Sequence, residues 1–232
     1  ISPDQDTLAF SALGKVWQQP VSGGEPLALA PSDASQSEAA FSPDGSRLAF
    51  IEWDDVTGGS LKIRSADGAV ATLFTSAGIV REPAFSPDGS KIMFQIAAGD
   101  DCLGGHKADP GIYWIPADGG VAVPLGVAGG NPRFAPDGSR VYFTTEGYAD
   151  GTLITTLESI SIAGDDHRTH LRTQDSDTSE LKLSPDLEWL AYRHYQTYHV
   201  APFDRDADES VLDATAGRQL ETAGGYELIW DR

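Results

Sequence analysis

Five histidines, one cysteine and a run of aspartates are the residues of this 232-residue chain whose chemistry could go beyond packing. His167 and His170 form His-x-x-His in GDDHRTHLR, but lack the carboxylate that a zinc-hydrolase helix carries at its own spacing. His194 and His199 flank a short loop beside Tyr195 and Tyr198, where two imidazoles could ligate a metal. Asp204, Asp206 and Asp208 in DRDADES imitate the start of a calcium loop. Glu209 then stands where the sharp turn needs Gly, and Thr215 where the bidentate Glu belongs. Cys102 follows Asp100 and Asp101, whose charge disfavours its thiolate, and a lone cysteine makes no intrachain disulfide. No Ser sits in a Gly-x-Ser-x-Gly elbow, and the Gly pairs have no strand-to-helix context for phosphate. These residues assemble no complete active site, and neither a metal nor a cofactor is expected.

The elements that must position them follow from a repeat. FSPDGSRLAF (residues 41–50) returns as FSPDGSKIMF (85–94) and FAPDGSRVYF (134–143), with weaker copies in ISPDQDTLAF (1–10) and LSPDLEWLAY (183–192). Pro presets φ, Asp bonds back to local backbone and Gly takes positive φ, so Pro43–Gly45, Pro87–Gly89 and Pro136–Gly138 each predict a tight structural turn between two strands. Gln5 and Leu187 replace that Gly in the weaker copies, at a cost of about 1 kcal/mol each if the geometry is kept. The five prolines, Pro3, Pro43, Pro87, Pro136 and Pro185, lie 40, 44, 49 and 49 residues apart. A period of that length repeats a supersecondary unit. In the second unit it holds strands A (ending at Phe41), B (47–52), C (61–64) and D (70–74), with no helical periodicity.

The expectation is an all-β β-propeller of four-stranded antiparallel blades, with five blades' worth of strands in one domain over 1–232. The first unit lacks an A strand, and GGYELIWDR (224–232) supplies one, with Trp230 at the Phe41 position. That strand either closes a five-bladed ring, or the chain is an arc of a larger propeller whose next turn starts at Asp231-Arg232.

Sixteen Lys and Arg against 35 Asp and Glu leave a net charge of −19, which repels nucleic acid and anionic membranes and suits cationic partners. No apolar run reaches the roughly 18 residues of a membrane helix. The 25 Gly and 14 Pro are spread over turns, so no linker divides the chain.

The repeated aromatic-Ser-Pro-Asp-Gly phrase resembles TolB-type propeller repeats. Residues 1–30 and 179–203, with Trp17, Gly23-Gly24, Trp189 and VAPF, resemble the propeller that precedes the catalytic domain of large exported bacterial amidohydrolase-like proteins. That resemblance implies a non-catalytic docking or gating module, periplasmic or secreted, whose partner is a following metal-dependent hydrolase domain. The family's metal ligands belong to that other domain and map onto no residue here. Propellers of prolyl-oligopeptidase-type peptidases, and stand-alone propellers that bind protein or carbohydrate, carry similar repeats.

Within a propeller, A–B and C–D turns share one face, and B–C and D–A loops share the other. The B–C loops are predicted at 52–59, 97–110 and 145–151. Their varied lengths make that face the expected contact surface, led by Asp54, Asp55, Asp100, Asp101, His106, Asp109 and Glu146. His194 and His199 are the candidates for lining a channel.

Overall fold

The computed structural model of the chain describes residues 1–97 and 109–220. The predicted A strand at 224–232, with Trp230, lies outside them. The described residues hold no helix, hence none long and apolar enough to cross a membrane. They form five small sheets, the blades of a β-propeller. The chain divides into two compact units, Ile1–Ala128 and Gly129–Arg232.

The first unit carries three blades. Blade one has β1 (Thr7–Ala12), β2 (Lys15–Pro20) and β3 (Leu27–Ala28), the B, C and D strands alone. Blade two runs β4 (Ser35–Phe41), β5 (Leu48–Asp54), β6 (Gly58–Arg64) and β7 (Val70–Ser76) in spatial order. Blade three runs β8 (Ile79–Phe85), β9 (Lys91–Ala97), β10 (Gly111–Pro116) and β11 (Val123–Pro124). The A strand β4 packs against β8 on one side and β1 on the other, so A strands lie innermost.

The second unit carries two blades. Blade four has β12 (Gly130–Phe134), β13 (Arg140–Ala149), β14 (Thr152–Ser161) and β15 (Arg168–Arg172). Its fifth strand, β19 (Ser210–Val211), comes from the last repeat and runs parallel to β15. Blade five has β16 (Thr178–Leu183), β17 (Trp189–His194), β18 (Thr197–Pro202) and β20 (Arg218–Gln219).

Every Ser-Pro-Asp turn is bonded alike. In blade two the Ser42 hydroxyl donates to Asp44 Oδ1 (2.6 Å) and accepts from the Arg47 amide (2.9 Å), while Asp44 Oδ1 accepts from the Ser46 amide (3.0 Å). Ser86 and Asp88 repeat these bonds, as do Ser2 with Asp4 and Ser184 with Asp186. Gly45, Gly89 and Gly138 have φ of 72°, 70° and 70°, and Gln5 and Leu187 adopt the same conformation at 62° and 60°. The non-Gly copies therefore keep the turn. Leu187 is recompensed by burial, at 3 % exposed. In the first unit the turns also stack: a Cβ on Gly45 would lie 3.5 Å from Pro3 Cδ, and one on Gly89 3.5 Å from Pro43 Cδ. Arg47 joins neighbouring turns, donating to the Gly89 carbonyl (2.8 Å) and to Asp118 (2.9 Å) with its guanidinium 5.5 Å from the Phe85 ring.

The aromatic that ends each phrase is core. Phe50, Phe94, Phe143 and Tyr192 are among the largest fully buried side chains, whereas Phe10 of the weaker first copy is half-buried. Phe94 sits with Ile51, Leu61, Ile63, Ile92 and Ile115 between blades two and three.

Two predicted B–C loops prove to be mostly strand. Instead of a loop over 52–59, β5 extends to Asp54 and β6 begins at Gly58. The Gly pair is there for close packing, since a Cβ on Gly58 would lie 2.3 Å from the Ser76 carbonyl oxygen and one on Gly59 2.7 Å from that of Gly78. Instead of a loop over 145–151, β13 and β14 pair continuously to Ala149 and Thr152 around an Asp150-Gly151 turn. The φ of 50° and 80° there suit an Asp-Gly hairpin, and the turn holds the register as far as its tip.

Replacing Gly45 or Gly89 by Val is expected to destabilise the fold by about 1–3 kcal/mol, because a β-branched residue must take positive φ beside a proline ring. Gln5→Gly is expected to stabilise it by about 1 kcal/mol. Urea denaturation of the variants reads both, and equal midpoints for wild type and the Val variants would contradict the account.

Candidate functional site

The two propeller faces differ in how their polar groups are used. On the turn face the Ser-Pro-Asp carboxylates bond the serine and amides of their own turns. Asp44 is lowered to about 2, first by the Ser42 hydroxyl and then by the Ser46 amide and hydroxyl, and Asp88 is lowered by the equivalent serines. These groups are committed to the turns that hold them.

On the opposite face the predicted contact residues have three fates. Asp54 caps its own hairpin. Its Oδ1 accepts from the amides of Thr57 (2.8 Å) and Val56 (2.9 Å), which lower its pKa. Asp55 is exposed and accepts from Trp53 Nε1 (2.9 Å). Asp109 is exposed, and its backbone carbonyl takes the Tyr113 hydroxyl (2.9 Å). Glu146, in the second unit, is an exposed residue within β13 opposite Thr155, where the sequence predicted a loop. Asp100, Asp101 and His106, with Cys102, lie outside the described residues. Asp54, Asp55 and Asp109 thus share one end of the first unit's sheets. Among the described residues no three His, Cys, Asp or Glu side chains are grouped to hold a metal.

His194 and His199 come near each other, with ring centroids 6.2 Å apart, but neither is on an innermost strand. His194 ends the B strand, bonded through Nδ1 to the Thr178 hydroxyl (2.9 Å). His199 lies on the C strand, buried and stacked on Tyr192 at 5.4 Å, with its nitrogens on Thr197 (2.9 Å) and the Gly217 carbonyl (3.3 Å). Both imidazoles serve their blade's packing.

Two polar arrangements were not recognised in the sequence. The first is on the innermost strands. Glu38, Glu82, Asn131 and Glu180, each three residues before the residue that opens the repeat, take φ of 51–55° at a β-bulge. The bulge turns the amide out of its own sheet. Glu38 donates its amide to the Ser11 hydroxyl of blade one (3.2 Å), and Glu82 donates its amide to the Glu38 carboxylate. In blade five the Glu180 carboxylate takes the Tyr198 hydroxyl (2.9 Å) and Arg193 (3.1 Å). An acidic residue at one fixed distance from the repeat in three copies was the available signal.

The second is the pair Ser159 and His170, 2.8 Å apart in blade four. Arg140 donates to the Ser159 hydroxyl through Nε (3.2 Å) and Nη2 (3.0 Å), so the hydroxyl hydrogen points to His170 Nε2, a neutral acceptor. Burial, then the charges of Arg140 and Arg168, lower His170 from 6.5 to about 4. A nucleophile and its base would need such a contact. Here Ser159 is 0 % exposed and no acyl group can reach it, so the pair is a satisfied polar core.

A repeated Ser-Pro-Asp turn, four-stranded blades and innermost A strands define a β-propeller. Solved structures agree on the fold. The putative TolB from Agrobacterium tumefaciens is similar over 73 % of this chain and 62 % of its own, with 20 % identity and a TM-score of 0.57. TolB from Acinetobacter baumannii is similar over 87 % of this chain and 50 % of its own, with 16 % identity and a TM-score of 0.62. The tricorn protease matches 81 % of this chain with 18 % of its own, at 16 % identity and a TM-score of 0.61. The chain thus spans less than two thirds of each of these proteins. No protein-family model and no curated protein matches the sequence.

The His170 pair predicts a pH dependence. Unfolded, His170 takes a proton below about 6.5; folded, only below about 4, so acidification through that window favours unfolding. Going from pH 7 to pH 5 is expected to cost about 2 kcal/mol from this group alone. Urea midpoints at the two pH values should show a smaller difference in His170→Gln than in wild type, and an equal difference would refute the assignment.

Proposed function

We propose that this chain is a non-catalytic propeller module that docks a protein partner through its B–C/D–A face. The partner we favour is the hydrolase domain of a larger exported, metal-dependent amidohydrolase-like protein. The observation that carries the docking role is the asymmetry of the faces. On the turn face, the Ser-Pro-Asp polar groups are spent on their own turns, and in the first unit Arg47 bonds the next turn. The opposite end of that unit presents Asp55 and Asp109 to solvent. Exposed carboxylates there, in a chain of net charge −19, speed the approach of a cationic surface and disfavour nucleic acid. The hydrolase parent is supported by the sequence resemblance, and by the occurrence of this fold as 18 % of the length of the tricorn protease. The same resemblance supports a periplasmic or secreted location. Asp100, Asp101 and His106 belong to the proposed contact face by their position in the repeat, and Glu146 is its counterpart in the second unit.

Two measurements test this. The purified chain is expected to show no turnover of amide, ester or peptide substrates; turnover abolished by a substitution within the chain would overturn the non-catalytic role. Asp55→Lys with Asp109→Lys is expected to weaken binding to the separately produced hydrolase domain about tenfold at low salt and to flatten its salt dependence. Wild-type affinity in that variant would remove this face from docking.

A further inference from the structure

The described B–C hairpins each thrust one large apolar side chain into water at or beside the tip. In the first unit these are Leu13, 95 % exposed, and Val56, 92 % exposed. In the second they are Tyr148, 79 % exposed, and Tyr195, 64 % exposed. Isolated exposed apolar residues need no explanation. These four are notable together, because each described B–C hairpin carries one: Leu13 and Tyr195 open their turns, Val56 lies within its loop and Tyr148 is two residues before its turn.

Two of them also carry backbone strain. The Leu13-Gly14 turn has φ of 53° and 68°, close to the 50° and 80° of Asp150-Gly151 in blade four. Such a turn selects Asn or Asp at its first position, as blade four does; blade one has Leu. Tyr195 takes φ of 52° in blade five. Tyr195 meets the His194 ring edge-on at 4.5 Å but stays mostly in water, as Leu13 does; strained, exposed residues of this kind cluster at binding sites.

The charge around the tips indicates what is bound. In the first unit Asp33, Asp54, Asp55 and Asp109 lie at this end of the sheets, and the cation beside the Leu13 tip, Lys15, donates to the Ser32 and Ala34 carbonyls. In the second unit Glu146, Asp150 and Asp177 lie near the tips, and the nearby Arg193 is held by Glu180 at 3.1 Å. An apolar anchor ringed by carboxylates matches a surface where apolar groups alternate with lysine or arginine, and it repels an anionic bilayer. Tyr is moreover a frequent interface anchor.

We infer that the B–C hairpin tips of each unit, Leu13 with Val56 and Tyr148 with Tyr195, are apolar anchors for a cationic protein partner. This rests on the docking role proposed above and specifies how that face grips.

The test uses a 14-residue amphipathic Leu/Lys peptide and a Ser/Lys peptide of equal charge, both titrated calorimetrically into the chain. Leu13→Asn with Val56→Thr, and separately Tyr148→Thr with Tyr195→Asn, should each weaken the Leu/Lys peptide about tenfold and leave the Ser/Lys peptide unchanged. Leu13→Asn alone should raise the melting temperature by about 2–4 °C, since Asn-Gly suits the turn. No binding of the Leu/Lys peptide by wild type, equal losses for both peptides, or a lowered melting temperature would overturn the inference. So would tip-dependent binding to phosphatidylglycerol vesicles, which would assign the tips to lipid. Asp55→Lys with Asp109→Lys reports separately on the docking face: if it alters neither peptide while the tip variants do, the acidic face fails and the anchors stand.

Discussion

Most of this architecture depends on one local constraint, the tight turn between strands A and B, in which a serine hydroxyl commonly accepts the amide five residues on while donating to an aspartate two residues on. Ser42, Asp44 and Arg47 show it, and Ser86, Asp88 and Lys91 repeat it. The network fixes how strand A turns into strand B, and hence which residues face inward. Phe50 and Phe94 are buried because they stand a set distance past a turn that cannot slip. Blade four tests its necessity. Ala135 replaces the serine and the hydroxyl is lost, but the Asp137–Ser139 bonds and Gly138 at φ 70° remain. The Ala135 amide still donates to the Arg140 carbonyl at 2.9 Å. In blade four backbone pairing, the aspartate and the glycine hold the turn without the serine, and in the first and last copies the serine and aspartate hold it without the glycine.

The turn also sets the spacing of neighbouring blades in the first unit. The proline of one turn fills the space that the glycine of the next leaves open, as Pro3 does at Gly45 and Pro43 at Gly89. Two features of a local turn thus become a contact between blades, and Arg47 strengthens it with a hydrogen bond to one turn and an ion pair to another. The exposed ion pair is worth little by itself. The guanidinium's bond to the Gly89 carbonyl, with its stacking on Phe85, is what ties the blades.

What the sequence disclosed follows from this difference. The turns were legible because Pro, Asp and Gly act through local backbone chemistry, and that chemistry repeats. Of the two hairpins that the sequence showed as loops, one has a cause that is not local and the other has a local turn signal four residues further on. Gly58-Gly59 suggested a loop, but those glycines sit in a strand because the backbone of residues 76–80 passes too close for a Cβ. Glu146 suggested a loop tip, but Asp150-Gly151 carries the strands past it. Ser159 and His170 are eleven residues apart with nothing between them to suggest a pair; only the pairing of β14 with β15 brings them together. The short strand β19, which leaves its own repeat to join blade four, has no local signal at all.

The residues at positive φ separate structural demand from exposed strain. Leu187 is recompensed by burial in the core. Glu38 and Glu82 are recompensed between blades, because the bulge that strains each one turns its amide toward a neighbour that accepts it. In that chain of contacts a glutamate serves twice, its amide held by one blade and its carboxylate holding the next, so loss of one carboxylate would orphan an amide in another blade. Asp150 needs no compensation, since its side chain suits the turn. Leu13 has neither burial nor a suitable side chain, and Tyr195 keeps most of its ring in water although its amide reaches the Asp177 carbonyl at 2.8 Å. Strain that a fold needs is answered by contacts inside the fold. Leu13 is 95 % exposed, and Tyr195, whose ring meets His194 edge-on at 4.5 Å, is 64 % exposed, so these two proposed anchors carry strain that burial does not answer.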